Sequence, residues 1–308
     1  MHSSQSPSTL WLTEFNTPWD AFCHGIVKVL YQAKTSFQDM MIVETGAYGK
    51  ALVLDGCWQS STRDEFMYHE PLVHPACVIH GGPEKVLILG GGEGAALREI
   101  LKWQTVKQAV LVDLDGEVVE ACKHYLPEMH QGSFDDPRSR IIIQEACDFL
   151  QQSDRCWDVI ISDLTDPNED GPSHHLFTRE FFMKCRQVLK PGGCFLIQAG
   201  LTGPAEMDLY VRLAAIVADV FDNMYHFISP VPTWGSAIGF VLGADQTTPW
   251  EDPPPGAVDA LLSRWVQGDL KIFDGRTMRA LMNPPKYLRD AVAKESRLSR
   301  FSDPPGNV

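Results

Sequence analysis

Residues 86–100 read VLILGGGEGAALREI: an apolar run, a glycine cluster broken by one glutamate, then the start of a helical pattern. An unbroken apolar strand that enters a glycine turn and then a helix is the opening unit of a doubly wound α/β sheet. Ligands of such sheets bind beyond the carboxyl ends of the strands. Glycine turns of this kind ordinarily receive phosphates. Glu93 would repel one, so the expected ligand carries positive charge beside the loop.

The same alternation continues outward. Strand-like runs occur at 109–112 (AVLV), 140–143 (RIII), 158–162 (DVIIS) and 194–197 (CFLI), with helical patterns around 95–103, 116–124, 177–189 and 205–221. A closing strand is expected at 235–242, then a loop at Pro253–Gly256 and a short helical tail. Upstream, residues 26–58 alternate apolar and polar side chains, with a turn at Thr45–Gly46, and 63–73 looks helical. The expected fold is α/β: a small N-terminal β domain over 1–75, then a Rossmann-like sheet of the methyltransferase type over 76–308.

A net charge of −14 excludes a basic footprint for nucleic acid and favours cationic ligands. No apolar run approaches the roughly 20 residues that span a bilayer, and the N-terminus lacks a basic segment followed by an apolar one. The expectation is a soluble cytoplasmic protein with no nucleic-acid or membrane partner. None of the eight cysteines has CxxC spacing, so buried free thiols are expected rather than a metal or redox site.

Acids fall at the ends of successive strands: Glu93, Asp113, Glu145, Asp163 and Asp166. Gly90 and Gly92 allow close approach of a nucleoside, Asp113 stands where a carboxylate grips ribose hydroxyls, and Glu145 suits the neighbourhood of an adenine. Taken singly, Asp113 could be a solvated strand end and Asp166–Pro167 a turn. Together they point to an adenosine-containing ligand with a cationic tail.

These residues carry a resemblance. SFQDMMIVET (36–45), LVLDGCWQSSTRDEFMYHE (52–70), VLILGGGEGAALREIL (86–101), VDLDGEVVEAC (112–122), DVIISDLTDP (158–167) and FLIQAG (195–200) resemble the polyamine aminopropyltransferases, the spermidine and thermospermine synthase family. The resemblance implies transfer of an aminopropyl group from decarboxylated S-adenosylmethionine, a co-substrate rather than a bound prosthetic group, to a small polyamine acceptor. It implies that Gln38, His69 and Glu93 contact this co-substrate, that Asp113 holds its ribose, and that Glu145 and Ala146 sit by the adenosine. Asp163 would be the general base. Tyr68, Asp166 and Trp234 would line the acceptor channel, with Gln198 and Trp11 as further candidates. It also implies a homodimer or homotetramer assembled through the N-terminal strands.

The chemistry agrees with those residue types. An amine with the pKa of lysine, ~10.4, is nucleophilic in only about one molecule in 2,500 at pH 7, so a base must take its proton. The leaving group is a neutral thioether, so neither metal nor cysteine is required. Intact S-adenosylmethionine carries a carboxylate that Glu93 disfavours, which separates this reading from a putrescine methyltransferase. Several positions depart from the pattern of many spermidine synthases: Glu93 and Asp113 exchange the usual acid types, Glu145 replaces an aspartate, His69 a glutamine, and the VPTWGSAIGF loop (231–240) is one residue shorter. Putrescine is the expected acceptor; spermidine and agmatine are the alternatives.

Overall fold

The computed structural model describes residue 8 and residues 10–167, 173–245 and 252–300. Five antiparallel strands form the first sheet in sequential order: β1 (Leu10–Thr17), β2 (Asp20–Lys34), β3 (Asp39–Thr45), β4 (Gly49–Leu54) and β5 (Cys57–Ser61). Each joins its neighbour through a tight turn, and β2 is bent by register shifts near Ile26–Lys28 and Val29–Tyr31.

The second sheet has seven strands: β6 (Lys85–Gly90), β7 (Gln108–Asp113), β8 (Ser139–Ile143), β9 (Trp157–Asp163), β10 (Leu189–Leu201), β11 (Asn223–Pro230) and β12 (Ala237–Ala244). Their spatial order is β11-β12-β10-β9-β6-β7-β8. Strands β6 to β10 are mutually parallel, and β12 runs antiparallel to both β10 and β11. The chain order reverses between β6 and β9, which opens a crevice at their carboxyl ends.

Continuous apolar strands bury alternate side chains on opposite faces. Val86, Ile88, Leu111, Val159, Ile161 and Leu196 pack on one side with Leu72, Ala76, Leu97 and Trp103. Leu87, Leu89, Val110, Val112, Ile160 and Phe195 pack on the other with Phe181, Phe182, Leu213 and Ile216. The covering helices are α1 (Phe66–His80), α2 (Ala95–Leu101), α3 (Gly116–Tyr125), α4 (Pro127–His130), α5 (Ala146–Gln151), α6 (Arg179–Val188) and α7 (Asp208–Val220). The tail folds into α8 (Pro255–Trp265), α9 (Gly275–Leu281) and α10 (Lys286–Lys294).

Three expectations need correcting. The boundary at 75/76 falls inside α1, which continues through Pro71 and Pro75 and packs on the second sheet, so the sheets part between Ser61 and Phe66. Strands β1 and β11 were not anticipated: β1 is poorly buried along its length, and β11 mixes polar side chains into an edge strand. All eight cysteines are free as expected, but Cys23 is exposed. Among the described residues, no helix is long and apolar enough to cross a membrane.

Candidate active site

A cleft of about 660 Å³ opens at the carboxyl ends of β6, β7, β8, β9 and β10, with the first sheet as its opposite wall. The glycine loop that follows β6 forms its floor. Gly90 and Gly91 have φ of 82° and 71°, and Gly91 N–H donates to the Asp163 carbonyl at 2.9 Å. A Cβ on Gly90 would lie 2.1 Å from that carbonyl, and one on Gly92 2.8 Å from Asp113 Oδ2. Only glycine allows the loop to lie between these two strand ends.

Each strand end then presents its acid. Asp113 ends β7 and accepts the Asp115 N–H at 2.9 Å. Burial, reinforced by the charges of Asp115 and Glu93, pushes its carboxyl up to about 6. Glu145 follows β8, caps α5 through the Asp148 N–H at 2.9 Å and lies 3.1 Å from His175 Nε2, with Ala146 beside it in the cleft wall. Asp163 ends β9. Tyr68 Oη donates to its Oδ1 at 2.5 Å, while Oδ2 is buried and has no hydrogen-bond partner among the described residues. Burial and the neighbouring Glu93 charge push this carboxyl up to about 7, although His69 and Tyr68 pull the other way. Burial and Asp163 hold the Tyr68 phenol well above its usual range, so it stays a donor.

Beyond Asp163 the cleft continues toward the first sheet. Gln198 on β10 donates to Asp166 Oδ1 at 2.8 Å and to the Leu164 carbonyl at 2.7 Å, while its own oxygen accepts the Gly200 N–H. The Asp166 carboxyl is thereby fixed at the cleft surface. Trp234 stands edge-on to Tyr68 at 5.2 Å and donates its indole N–H to the Trp58 carbonyl at 2.8 Å. The cleft thus joins a wide nucleoside-sized region to an arm lined by carboxylates and aromatic rings.

The structure brings Gln38, Tyr68, Gly90, Gly92, Glu93, Asp113, Glu145, Ala146, Asp163, Asp166, Gln198 and Trp234 to this cleft. Two expected contacts lie elsewhere. Trp11 is 47% exposed and outside the cleft lining. It stands three residues before Glu14 on β1, so it points to the opposite face, about 10 Å away along the strand. His69 is fully buried behind Glu93, with Nδ1 3.0 Å from Glu65 Oε2 and Nε2 3.2 Å from Glu93 Oε1. Burial alone would lower the imidazole, but hydrogen bonds and charge from Glu65 and Glu93 push it up to about 10. Burial alone would raise Glu93, and His69 outweighs it and holds that carboxyl below its usual range. The imidazolium has no lone pair for a metal ion.

Sequence reasoning missed two acids. Asp115 accepts Thr35 Oγ1 at 2.6 Å and Gln38 Nε2 at 3.1 Å, and so holds Gln38 at the cleft, while its Oδ1 caps α3. Asp-Gly ahead of a helical pattern is a capping signal that could have found it. Glu14 lines the far arm, and burial raises its carboxyl against the pull of the Trp58 N–H. Because β1 was not foreseen, nothing marked it.

Residues 65–249 match the model of the spermine/spermidine synthase domain, and residues 10–61 match that of the spermidine synthase tetramerisation domain. A polyamine aminopropyltransferase of Synechococcus sp. (strain JA-2-3B'a(2-13)) is 48% identical, over 98% of this chain and 99% of that protein. One from Aeropyrum pernix is 41% identical, over 95% and 94%. A crystal structure of spermidine synthase in complex with the transition-state analogue AdoDATO superposes with a TM-score of 0.87 at 30% identity, covering 94% of this chain and 97% of that one. The spermidine synthase of Thermotoga maritima superposes with a TM-score of 0.85 at 29% identity over the same shares. With its carboxylate-ringed cleft on this fold, the chain belongs to the spermine/spermidine synthase family and is an aminopropyltransferase.

Proposed function

We propose that the chain moves the aminopropyl group of decarboxylated S-adenosylmethionine to putrescine, forming spermidine and 5'-methylthioadenosine. The observation that carries this reading is the pairing of an ionised Glu93 on the glycine loop with Asp163, whose Oδ2 is buried and unpartnered among the described residues. Glu93 faces the part of the cleft where a cationic aminopropyl tail follows from a nucleoside held by Asp113, Gln38, Glu145 and Ala146. The α-carboxylate of intact S-adenosylmethionine would meet Glu93 with like charge, a penalty on the order of a few kcal/mol at partly buried sites.

Asp163 is the proposed general base. The amine lone pair attacks the propyl carbon bonded to the sulfonium, the C–S bond breaks, and its electron pair goes to sulfur. The proton released from nitrogen passes to Asp163. A carboxylate raised toward neutrality takes a proton more readily than an ordinary one. Trp234 and Tyr68 pack the methylene chain of the acceptor, and Asp166 with Glu14 receives its distal ammonium. Putrescine has the support of two solved structures that this chain resembles, each a spermidine synthase.

A homodimer or homotetramer is proposed through the first sheet, where Leu10, Phe15, Trp19 and Val27 are exposed and which matches a tetramerisation model. The test of function is an assay with decarboxylated S-adenosylmethionine and a panel of amines, each product identified by mass. Spermidine formed from putrescine is the expected result. Turnover chiefly with spermidine would make it a spermine or thermospermine synthase, and turnover with agmatine an aminopropylagmatine synthase. Methyl transfer from intact S-adenosylmethionine, with no aminopropyl product, would overturn the reading of Glu93.

A further inference from the structure

Behind Glu93, a line of buried charged side chains runs away from the cleft. Glu65 Oε2 lies 3.0 Å from His69 Nδ1 and 2.7 Å from Arg98 Nη2. Arg98 Nε donates to Glu99 Oε1 at 2.9 Å, and its Nη1 donates to the Met129 carbonyl. Glu65, His69, Arg98 and Glu99 are all nearly inaccessible to solvent. None of the groups behind Glu93 touches the cleft, and the chemistry proposed above uses none of them.

The geometry of His69 decides its form. Each ring nitrogen faces a carboxylate oxygen, and a carboxylate can only accept. A neutral ring would point a lone pair at one of them. His74, also on α1, makes the contrast. Trp103 donates its indole N–H to His74 Nδ1 at 3.1 Å, so that nitrogen carries the lone pair and only Nε2 can donate to Glu99. One buried histidine of the helix meets a donor and an acceptor, and the other meets carboxylate acceptors at both nitrogens.

We infer that Glu65, clamped by Arg98, is a positioning residue for the aminopropyl-binding end of the site: it holds His69 with a hydrogen on both nitrogens, which fixes Glu93 as an ionised acceptor facing the cleft. The aminopropyl part rests on the function proposed above; the state of the ring does not. A second contact shows why Glu65 matters. His69 Nδ1 also lies 3.0 Å from the backbone carbonyl of residue 65. Once the ring becomes neutral, that carbonyl keeps the hydrogen on Nδ1, and Nε2 turns a lone pair toward Glu93. Losing one proton therefore removes the imidazole's support of Glu93 and leaves that carboxylate its backbone N–H and Ser60.

The charged and titratable groups around the ring are Glu65 at the N-cap of α1, Tyr68 from α1, Glu93 from the glycine loop, Asp163 from β9, and Arg98 from α2 acting through Glu65. Among these, Glu65 and Glu93 keep the ring charged to about 10. Removing the charge of Glu65 leaves Glu93 as its only direct carboxylate partner among the described residues.

The test has two arms. In the first, the free wild-type enzyme is labelled with 15N-histidine, and the His69 signal is assigned by its loss in His69→Asn. Both ring nitrogens are expected to remain protonated from pH 6 to 9. In Glu65→Gln they are expected to titrate near the ordinary histidine value of ~6.5. In the second arm, kcat/KM for decarboxylated S-adenosylmethionine is followed against pH. Glu65→Gln is expected to lose about tenfold between pH 6 and 8, on the scale of one hydrogen bond to a charged group, mainly in KM. The wild type and Glu65→Asp are expected not to lose it.

A wild-type ring that titrates between pH 6 and 8 would overturn the inference, as would a Glu65→Gln defect of equal size at every pH. If Glu65→Gln does not fold, the wild-type titration alone decides. If no amine is turned over, the function falls, and the titration still judges the ring.

Discussion

Asp163 is the residue on which the proposed chemistry turns, and its environment makes the pH dependence predictable in sign. Its carboxyl is pushed up to about 7, chiefly by burial and then by the charge of Glu93. Only the ionised form can accept a proton, so kcat/KM for the amine is expected to rise with pH through about 7 and level off above it. Asp163→Asn should lower kcat by roughly 10²–10⁴-fold with little change in co-substrate affinity, as read by steady-state kinetics and calorimetry. The Tyr68 hydroxyl donates to the ionised form and lowers the carboxyl, so Tyr68→Phe should move the rising limb to higher pH. A limb that stays in place would show that the phenol does not tune this acid. Sequence period made Asp113 and Asp163 legible, because each follows an apolar strand whose end is marked by a change of character. His69 was not legible in the same way. Tyr68 and His69 are consecutive on a helix, about 100° apart; Tyr68 lines the cleft while His69 lies buried behind Glu93, and spacing alone does not say which of the two reaches it.

At the scale of the element, α1 shows how a sequence signal can be outvoted. Pro71 and Pro75 lie inside a helix that still runs unbroken from Phe66 to His80. Pro71 has no N–H to give the Met67 carbonyl, the acceptor one helical turn earlier. Ser229 on β11 supplies the missing donor, its hydroxyl reaching that carbonyl at 2.6 Å. Ser229→Ala should leave a buried carbonyl unsatisfied and cost about 1–3 kcal/mol in chemical denaturation. Tyr68 sits one residue beyond that carbonyl, so the same variant is expected to lose some activity as well as stability. An unchanged denaturation midpoint would mean that the Met67 carbonyl finds another donor. The rescue comes from a strand that was itself not foreseen, more than 160 residues away in the chain. Local pattern marks proline as a breaker and cannot see a donor arriving from so far. The parallel strands β6 to β10 were legible because burial on both faces leaves a continuous apolar run.

For the molecule as a whole, the net charge of −14 and the carboxylates gathered in one cleft have a joint consequence. Asp163 and Asp113 are pushed up to about 7 and about 6, largely because each is partly withdrawn from solvent in the cleft, with Glu93 adding to both. A group whose folded pKa is raised contributes stability below its unfolded value and loses it as pH climbs through the folded one. The free enzyme therefore holds protons on these acids near pH 6.5, about one in total from the two values. A cationic substrate entering the cleft favours the carboxylate forms and must expel that proton. Calorimetric titration with a putrescine-like dication together with 5'-methylthioadenosine, in buffers of differing ionisation enthalpy, should show release of a substantial fraction of one proton per site at pH 6.5. Release should fall toward zero at pH 9, where both acids are already ionised. Asp163→Asn should remove most of it, since Asp163 is the more protonated of the two. Heats independent of the buffer at pH 6.5 would mean that the cleft binds its cations with these acids already ionised. The proton that Asp163 accepts in the reaction would then find an ordinary carboxylate, and the proposed tuning of the base by burial would fail.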